Sequence, residues 1–419
     1  MSRCLDRPAV DAAVWPVATA FCGGADARGR RRITTDRPTR AGSWNALQNA
    51  AISAIDPPFR ADQVGSLLRP PEVLRARERR AAGEIDAAEL RAAEDAAIAA
   101  AAAQVERIGM RAVTDGEYRR AWFHLDFLQQ LDGVAVTGNI ASSSDSADTV
   151  QMTPPKLSVV GPLRHARDIQ VDDFRYLASV VTQTPKVSIP SPTTVHFRGG
   201  RAAIDIGAYP DIEQFFADLA ACYRAEIAAL YAAGCRYLQL DDTNLAYLCD
   251  PTMRLGAVER GDDPDVLPHA YAELINACLA DRPDDLTVAI HLCRGNYRST
   301  WFAQGGYEPV AEVLFNELAV DAYFLEYDDE RSGDFAPLRF VPSTKTVVLG
   351  LVTTKRPQLE SFAGLAARVD AASEHVALER LCLSPQCGFA STVEGNALTA
   401  EEQWAKLALV VDTAARIWG

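Results

Sequence analysis

From residue 57 onward the chain alternates between two hydrophobic patterns. Short apolar runs rich in Val, Ile, Leu and Tyr are followed by longer stretches in which apolar positions recur every three or four residues. A strand buried on both faces reads as a continuous apolar run, and the helix that covers it reads as a one-sided stripe. The alternation therefore predicts parallel βα units. Strands are expected at 59–64, 111–115, 186–190, 236–241, 286–293, 321–327, 346–353 and 380–384. Helices are expected at about 71–107, 122–131, 210–233, 264–280, 307–318, 357–373 and 400–417, and the segment after the sixth strand is short. Eight such units over residues 57–419 predict a (β/α)8 TIM barrel, a fold that needs roughly 250 residues and tolerates insertions. The main insertion, residues 133–163, is Ser/Thr-rich around 142–146 and reads as a hairpin excursion.

Residues 1–56 lack this periodicity. They carry eight Arg against five Asp, include the run Arg30-Arg31-Arg32, and read as a disordered extension or a start codon placed too far upstream. Composition narrows the function further. The 419 residues carry a formal net charge of −14, against the basic face that phosphate-backbone binding needs. No run reaches the roughly 18 apolar residues of a membrane span. Nine scattered cysteines in a long chain read as reduced thiols of a cytoplasmic protein, unlike the short, dense pattern of a disulfide scaffold. Nucleic-acid and membrane partners are thereby set aside.

In a barrel of this kind the active site lies at the C-terminal ends of the strands. The predicted strands end in Val64-Gly65-Ser66, Asp115-Gly116-Glu117, Asp241-Asp242, His291-Leu292-Cys293, Glu326, Thr354-Lys355 and Cys387-Gly388. Acids, thiols and an imidazole thus gather where the fold puts chemistry. His291 and Cys293 are two apart on one strand, so both side chains face the barrel interior. Taken singly, each reads as a packed core residue. Together with Glu326 and Cys387 from neighbouring strand ends they form the N, S and O ligand set that Zn²⁺ takes. Their wide spacing suits a catalytic site better than a closed structural knuckle.

The motifs Gln63-Val64-Gly65-Ser66, Asp115-Gly116-Glu117, Gln239-Leu240-Asp241, His291-x-Cys293, Glu326 and Pro385-Gln386-Cys387-Gly388 resemble, in order, those of the cobalamin-independent methionine synthase family. The likeness runs from about residue 59 to the C-terminus and is nearest to its short, single-barrel relatives. The resemblance implies zinc bound by His291, Cys293, Glu326 and Cys387. It further implies that the thiol of homocysteine enters the metal's sphere and displaces or loosens the glutamate. Gly65 and Ser66 would hold the amino acid's carboxylate, and Glu117 and Asp241 its ammonium.

Three positions depart from that family's pattern, all on the side of the methyl donor. Lys355 stands where the family carries a proton-donating histidine, and a lysine acid suits neutral pH only if burial lowers its pKa. Phe197 is expected in place of a pterin-stacking tryptophan, and Asp241-Asp242-Thr243 replaces an Asp-Glu-Pro run. The expected donor is 5-methyltetrahydrofolate or another methyl carrier such as a corrinoid protein. Two alternatives stand beside methionine formation. One is zinc-dependent alkylation of another thiol, as in epoxyalkane:coenzyme M transferases. The other is a non-catalytic zinc- or thiol-binding protein. Coenzyme M has no ammonium, so Glu117 and Asp241 favour an amino-acid thiol.

Overall fold

The computed structural model describes residues 57–139 and 155–419. The expectations for residues 1–56 and for the Ser/Thr-rich tract at 142–146 lie outside the described residues. Six parallel strands form one sheet in the order β10 (Leu381–Pro385), β9 (Thr346–Val352), β8 (Ala322–Glu326), β7 (Thr287–Leu292), β6 (Tyr237–Asp242) and β5 (Val187–Pro190). A short β4 (Thr184–Pro185) runs into β5 and pairs in parallel with β1 (Ala112–Val113). The ring closes through residues 60–67. Asp62 N donates to Leu383 O at 3.0 Å on one side, and Leu67 N donates to Gly116 O at 2.9 Å on the other. The result is the eight-stranded (β/α)8 barrel, with its segments in chain order.

The barrel interior is filled. Phe59, Val64, Ala112, Tyr237, Ala289, Ala322, Phe324, Val348 and Cys382 form a buried cluster of their own inside the ring. Lys186 crosses this interior, with Nζ 3.2 Å from Asp62 Oδ1 and 4.0 Å from the Phe324 ring centroid. The larger apolar cluster lies between strands and helices. Such filling is what makes this fold a packed core with function confined to its mouth.

Several expected elements change shape. The helix expected over 71–107 is two helices, Pro71–Ala81 and Ala87–Ile108. Gly83 adopts φ 73°, and Asp86 and Glu89 exchange hydrogen bonds in a capping box that starts the second helix. The helix expected at 122–131 shrinks to Leu125–Leu128, which leaves Trp122, Phe123 and His124 in the connecting loop. Two helices, Val171–Val180 and Pro251–Glu259, were not expected from the periodicity. The insertion is an antiparallel hairpin of β2 (Asp132–Asn139) and β3 (Pro155–Arg164). After β8 the chain makes two 3-10 turns, Glu330–Ser332 and Ala336–Phe340.

Candidate metal centre and active-site cleft

The period of two along β7 places Ala289, His291 and Cys293 on the interior face, and the turn after β10 brings Cys387 over the same opening. Ligand atoms of His291, Cys293 and Cys387 all lie within 4.8 Å of one another. The two sulfurs are 3.8 Å apart. Two thiolates about 2.3 Å from one tetrahedral ion would be separated by about 3.8 Å. The donor set and this spacing therefore fit zinc. Asp241, at the end of β6, places Oδ1 3.3 Å from His291 Nδ1 and takes a 2.7 Å hydrogen bond from Gln239 Nε2. That carboxylate holds the imidazole so that Nε2 faces the Gln386–Cys387 segment, 3.3 Å from Gln386 O. This is the outer-shell arrangement that orients metal-binding histidines.

Protons are unevenly shared in this buried group. The Cys293 and Cys387 sulfurs share a hydrogen bond, and this contact, aided by His291, holds Cys387 well below the usual thiol range despite burial. Cys293 is pushed up by the same hydrogen bond and by burial. Burial works against a charged His291, yet Asp241 and Cys387 raise its pKa to about 10. The centre thus pairs an anionic sulfur with a cationic ring. A bound divalent ion would take the place of those protons.

Glu326 is turned away from this trio. Its Oε1 is 2.7 Å from Arg331 Nη2 and 3.0 Å from Lys355 Nζ, and its Oε2 accepts from Arg294 N at 2.5 Å. Burial pushes the carboxyl pKa up, but Lys355, Arg331 and Arg294 outweigh burial and bring it down to about 2. Lys355, the residue expected to donate a proton, belongs to the same buried cluster. The ammonium is buried between Glu326 and Asp328, the latter at 3.6 Å. Burial would lower its pKa, but the two carboxylates raise it above the usual lysine value. An ammonium held this way keeps its proton at neutral pH. Lys355 is the anchor of Glu326.

The loop after β1 aims Glu117 into the cleft. Gly116 and Glu117 both adopt left-handed backbone, with φ 63° and 58°, a conformation that side chains other than Gly rarely take. Glu117 Oε1 pairs with Arg120 Nη2 at 3.0 Å. Burial raises its pKa to about 7 against the pull of Arg120, with Asp241 adding to the rise. Gly65 has to lack a side chain, because a Cβ there would sit 2.8 Å from Glu117 Oε1. Among the described residues neither the Gly65 nor the Ser66 amide N–H donates a hydrogen bond. Ser66 Oγ instead accepts from Ala390 N at 3.2 Å, tying the first strand to the loop that carries Cys387.

These residues open on a cleft of about 600 Å³, lined among others by Ser66, Glu117, Asp241, His291, Cys293 and Cys387. Phe197 does not line it. Its ring is buried between Tyr247 and Tyr271, at centroid distances of 6.0 and 6.4 Å. The next residue, Arg198, reaches the cleft wall together with Trp122, Phe123, His124 and Tyr247. Sequence reasoning missed all five. A resemblance of motifs at strand ends has no view of loop residues, and the wall here is made of them. Among the described residues seven cysteines are buried and free of disulfide bonds.

Fold and site together define a (β/α)8 barrel enzyme with a thiol–imidazole centre at its mouth. Comparison with known proteins carries this further. Residues 59–416 match the family described as cobalamin-independent synthase, catalytic domain, and the chain belongs to that family. It is 47% identical over 363 residues to the uncharacterised protein YxjH of Bacillus subtilis, covering 86% of this chain and 95% of that one. It is 39% identical to a Listeria monocytogenes crystal structure described as a vitamin-B12 independent methionine synthase, with a TM-score of 0.69 and coverage of 86% and 98%. A 5-methyltetrahydropteroyltriglutamate–homocysteine methyltransferase of Synechococcus is 25% identical over 336 residues, which are 80% of this chain and 40% of that protein.

Proposed function

We propose that this protein transfers a methyl group to the thiol of homocysteine, giving methionine, with zinc at His291, Cys293 and Cys387. The observation that carries the reading is the convergence of those three ligand atoms within 4.8 Å at the floor of an open cleft. When bound, zinc lowers the pKa of a substrate thiol and supplies a nucleophile at neutral pH. The chain's own groups then have distinct tasks. The open amides of Gly65 and Ser66 take the carboxylate of homocysteine, and ionised Glu117 takes its ammonium. Asp241 fixes His291 and offers its Oδ2, which makes no hydrogen bond with a described residue, to the cleft. Lys355 and Arg331 hold Glu326 turned away from the trio, which would leave the metal held by His291, Cys293 and Cys387 open to the substrate thiol.

The methyl donor in this reading is 5-methyltetrahydrofolate, in line with the name of the Synechococcus relative. A corrinoid carrier finds no support among these relatives. Glu117 and Asp241 favour an amino-acid thiol over coenzyme M, since both acids would repel a sulfonate. No helix among the described residues is long and apolar enough to cross a membrane. The test is metal analysis of purified protein together with methionine formation from homocysteine and 5-methyltetrahydrofolate. About one zinc per chain and catalytic turnover support the reading; zinc-free protein that turns over equally well contradicts it.

A further inference from the structure

Arg69 is buried, 8% exposed, and does not line the cleft. Its guanidinium nevertheless donates to four backbone carbonyls in two different loops. Nη2 donates to Glu117 O at 2.9 Å and to Arg120 O, and Nη1 donates to Thr392 O at 3.0 Å and to Ala390 O at 3.3 Å. Glu117 and Arg120 are the two partners of the ion pair that faces the cleft. Ala390 and Thr392 lie in the loop of Cys387, and Ser391 Oγ between them is 3.7 Å from Cys387 Sγ. One side chain thus grips the loop of the cleft acid with one nitrogen and the loop of a metal-ligand thiol with the other.

The first of these loops needs holding. Gly116 and Glu117 are both left-handed, with φ 63° and 58°, and a glutamate persists in that conformation only where its surroundings over-determine it. The carbonyl of Glu117 is among those that Arg69 takes. The Arg120 carbonyl accepts from no other described residue. Arg69 is itself well placed to act as a clamp. The segment that carries it is stitched to both loops, through Leu67 N to Gly116 O at 2.9 Å and Phe389 N to Ser66 O at 2.8 Å. The guanidinium is a planar fork whose donors keep a fixed geometry. Burial first, and then Arg77, bring its pKa down to about 10, so it stays charged at neutral pH and its hydrogen bonds are charge-assisted.

We infer that Arg69 is a positioning residue for Glu117: by bridging the two loops it fixes the span between the carboxylate that receives the substrate's ammonium and the thiol centre that receives its sulfur. Arg69 touches neither end of the substrate and acts through the backbone of Glu117 and Arg120. This inference rests on the methyl-transfer reading above and names the residue that sets its selectivity for an amino-acid thiol.

The test removes the ammonium from the ligand. 4-Mercaptobutyrate has the thiol, chain length and carboxylate of homocysteine and lacks its amino group. Dissociation constants of both are measured by titration calorimetry on zinc-loaded wild type, Arg69→Met and Arg69→Lys, below the unfolding temperature of each, with zinc content and melting temperature alongside. Arg69→Met should raise the homocysteine Kd by about tenfold or more, with the 4-mercaptobutyrate Kd and the zinc content within about twofold of wild type. Arg69→Lys keeps the charge, but its single nitrogen cannot span both pairs of carbonyls, so it should recover only part of the loss. In a Glu117→Gln background the same change at Arg69 should alter the homocysteine Kd less than about threefold, since two residues acting through one contact are not additive. If Arg69→Met does not fold, Arg69→Lys in the two backgrounds makes the same comparison. An equal loss for both ligands, or a lower melting temperature with both constants unchanged, is the signature of packing and overturns the inference. So does a lysine variant equal to wild type, which would reduce Arg69 to a source of charge. Zinc content below half of wild type assigns Arg69 to the Cys387 loop and also overturns it. In each of these cases wild type still binds homocysteine and the methyl-transfer reading stands. Wild type that does not bind homocysteine removes that reading, and the inference with it.

Discussion

Replacing Lys355 with Met removes one ammonium from a buried cluster that contains Glu326, Asp328 and Arg331. The distances set the magnitude. Lys355 Nζ is 3.0 Å from Glu326 and 3.6 Å from Asp328. At an effective dielectric of about 20 those separations correspond to roughly 5 kcal/mol of attraction each, opposed by the cost of burying all three ions. Removing one partner of a buried pair typically costs about 3–5 kcal/mol, because the remaining charge is left uncompensated. Here the two carboxylates would be left with Arg331 and, at Glu326, the more distant Arg294, so Lys355→Met should lower stability by about that amount. Urea unfolding, followed by circular dichroism, measures it. Neutralising the opposite charge should restore much of the loss, so Lys355→Met/Glu326→Gln should be more stable than Lys355→Met. If Lys355 were a proton donor without a structural partner, the single variant would keep wild-type stability and the two substitutions would add. A coupling below about 1 kcal/mol between them would refute the anchoring role. Metal affinity gives a second readout. Freed from Lys355, Glu326 can turn to the His291–Cys293–Cys387 trio, so the variant should hold zinc more tightly against a chelator.

Cys387→Ser should reduce bound zinc, measured by elemental analysis, to well below half of the wild-type content and abolish methyl transfer with it; full zinc occupancy would remove Cys387 from the ligand set. Glu117 has its pKa raised to about 7, so its ionised form is lost as pH falls through neutrality. The homocysteine KM should therefore rise below about pH 7 in wild type, and Glu117→Gln should raise it at every pH while flattening that dependence. Gly388→Ala would place a Cβ 1.9 Å from Ser66 Oγ, pushing apart the first strand and the Cys387 loop. Steady-state kinetics should show at least a tenfold loss in kcat/KM, and wild-type values would contradict the close packing of these two segments.

The barrel was legible because its strands are buried on both faces and announce themselves as apolar runs. All eight appear within a residue or two of the expected positions, apart from the shorter β1, the split β4–β5 and the first segment, which pairs through isolated bonds. His291 and Cys293 were legible because a period of two fixes the face, whatever else surrounds them. The direction of the Glu326 carboxylate was not. It depends on Arg331, from the turn that follows β8, and on Lys355, from the loop after β9, and no local pattern records which partner wins. Phe197 and Arg198 show a different limit. On the short helix Thr194–Phe197 and its cap, one residue changes the face by about 100°, so the core takes Phe197 and the cleft takes Arg198. The break at Gly83 and Asp86 was readable in principle from the cap and its Glu89. The helical stripes on either side, joined by only a few residues, masked it.

The central claim is that the His291–Cys293–Cys387 centre activates the thiol of homocysteine for methylation. The most direct measurement is methionine formation, followed by mass spectrometry, with purified zinc-loaded protein, homocysteine and methyl-labelled 5-methyltetrahydrofolate. The account predicts labelled methionine over many turnovers, lost when zinc is chelated and regained when it is returned. Protein that holds one zinc and binds both substrates yet forms no labelled methionine would contradict it.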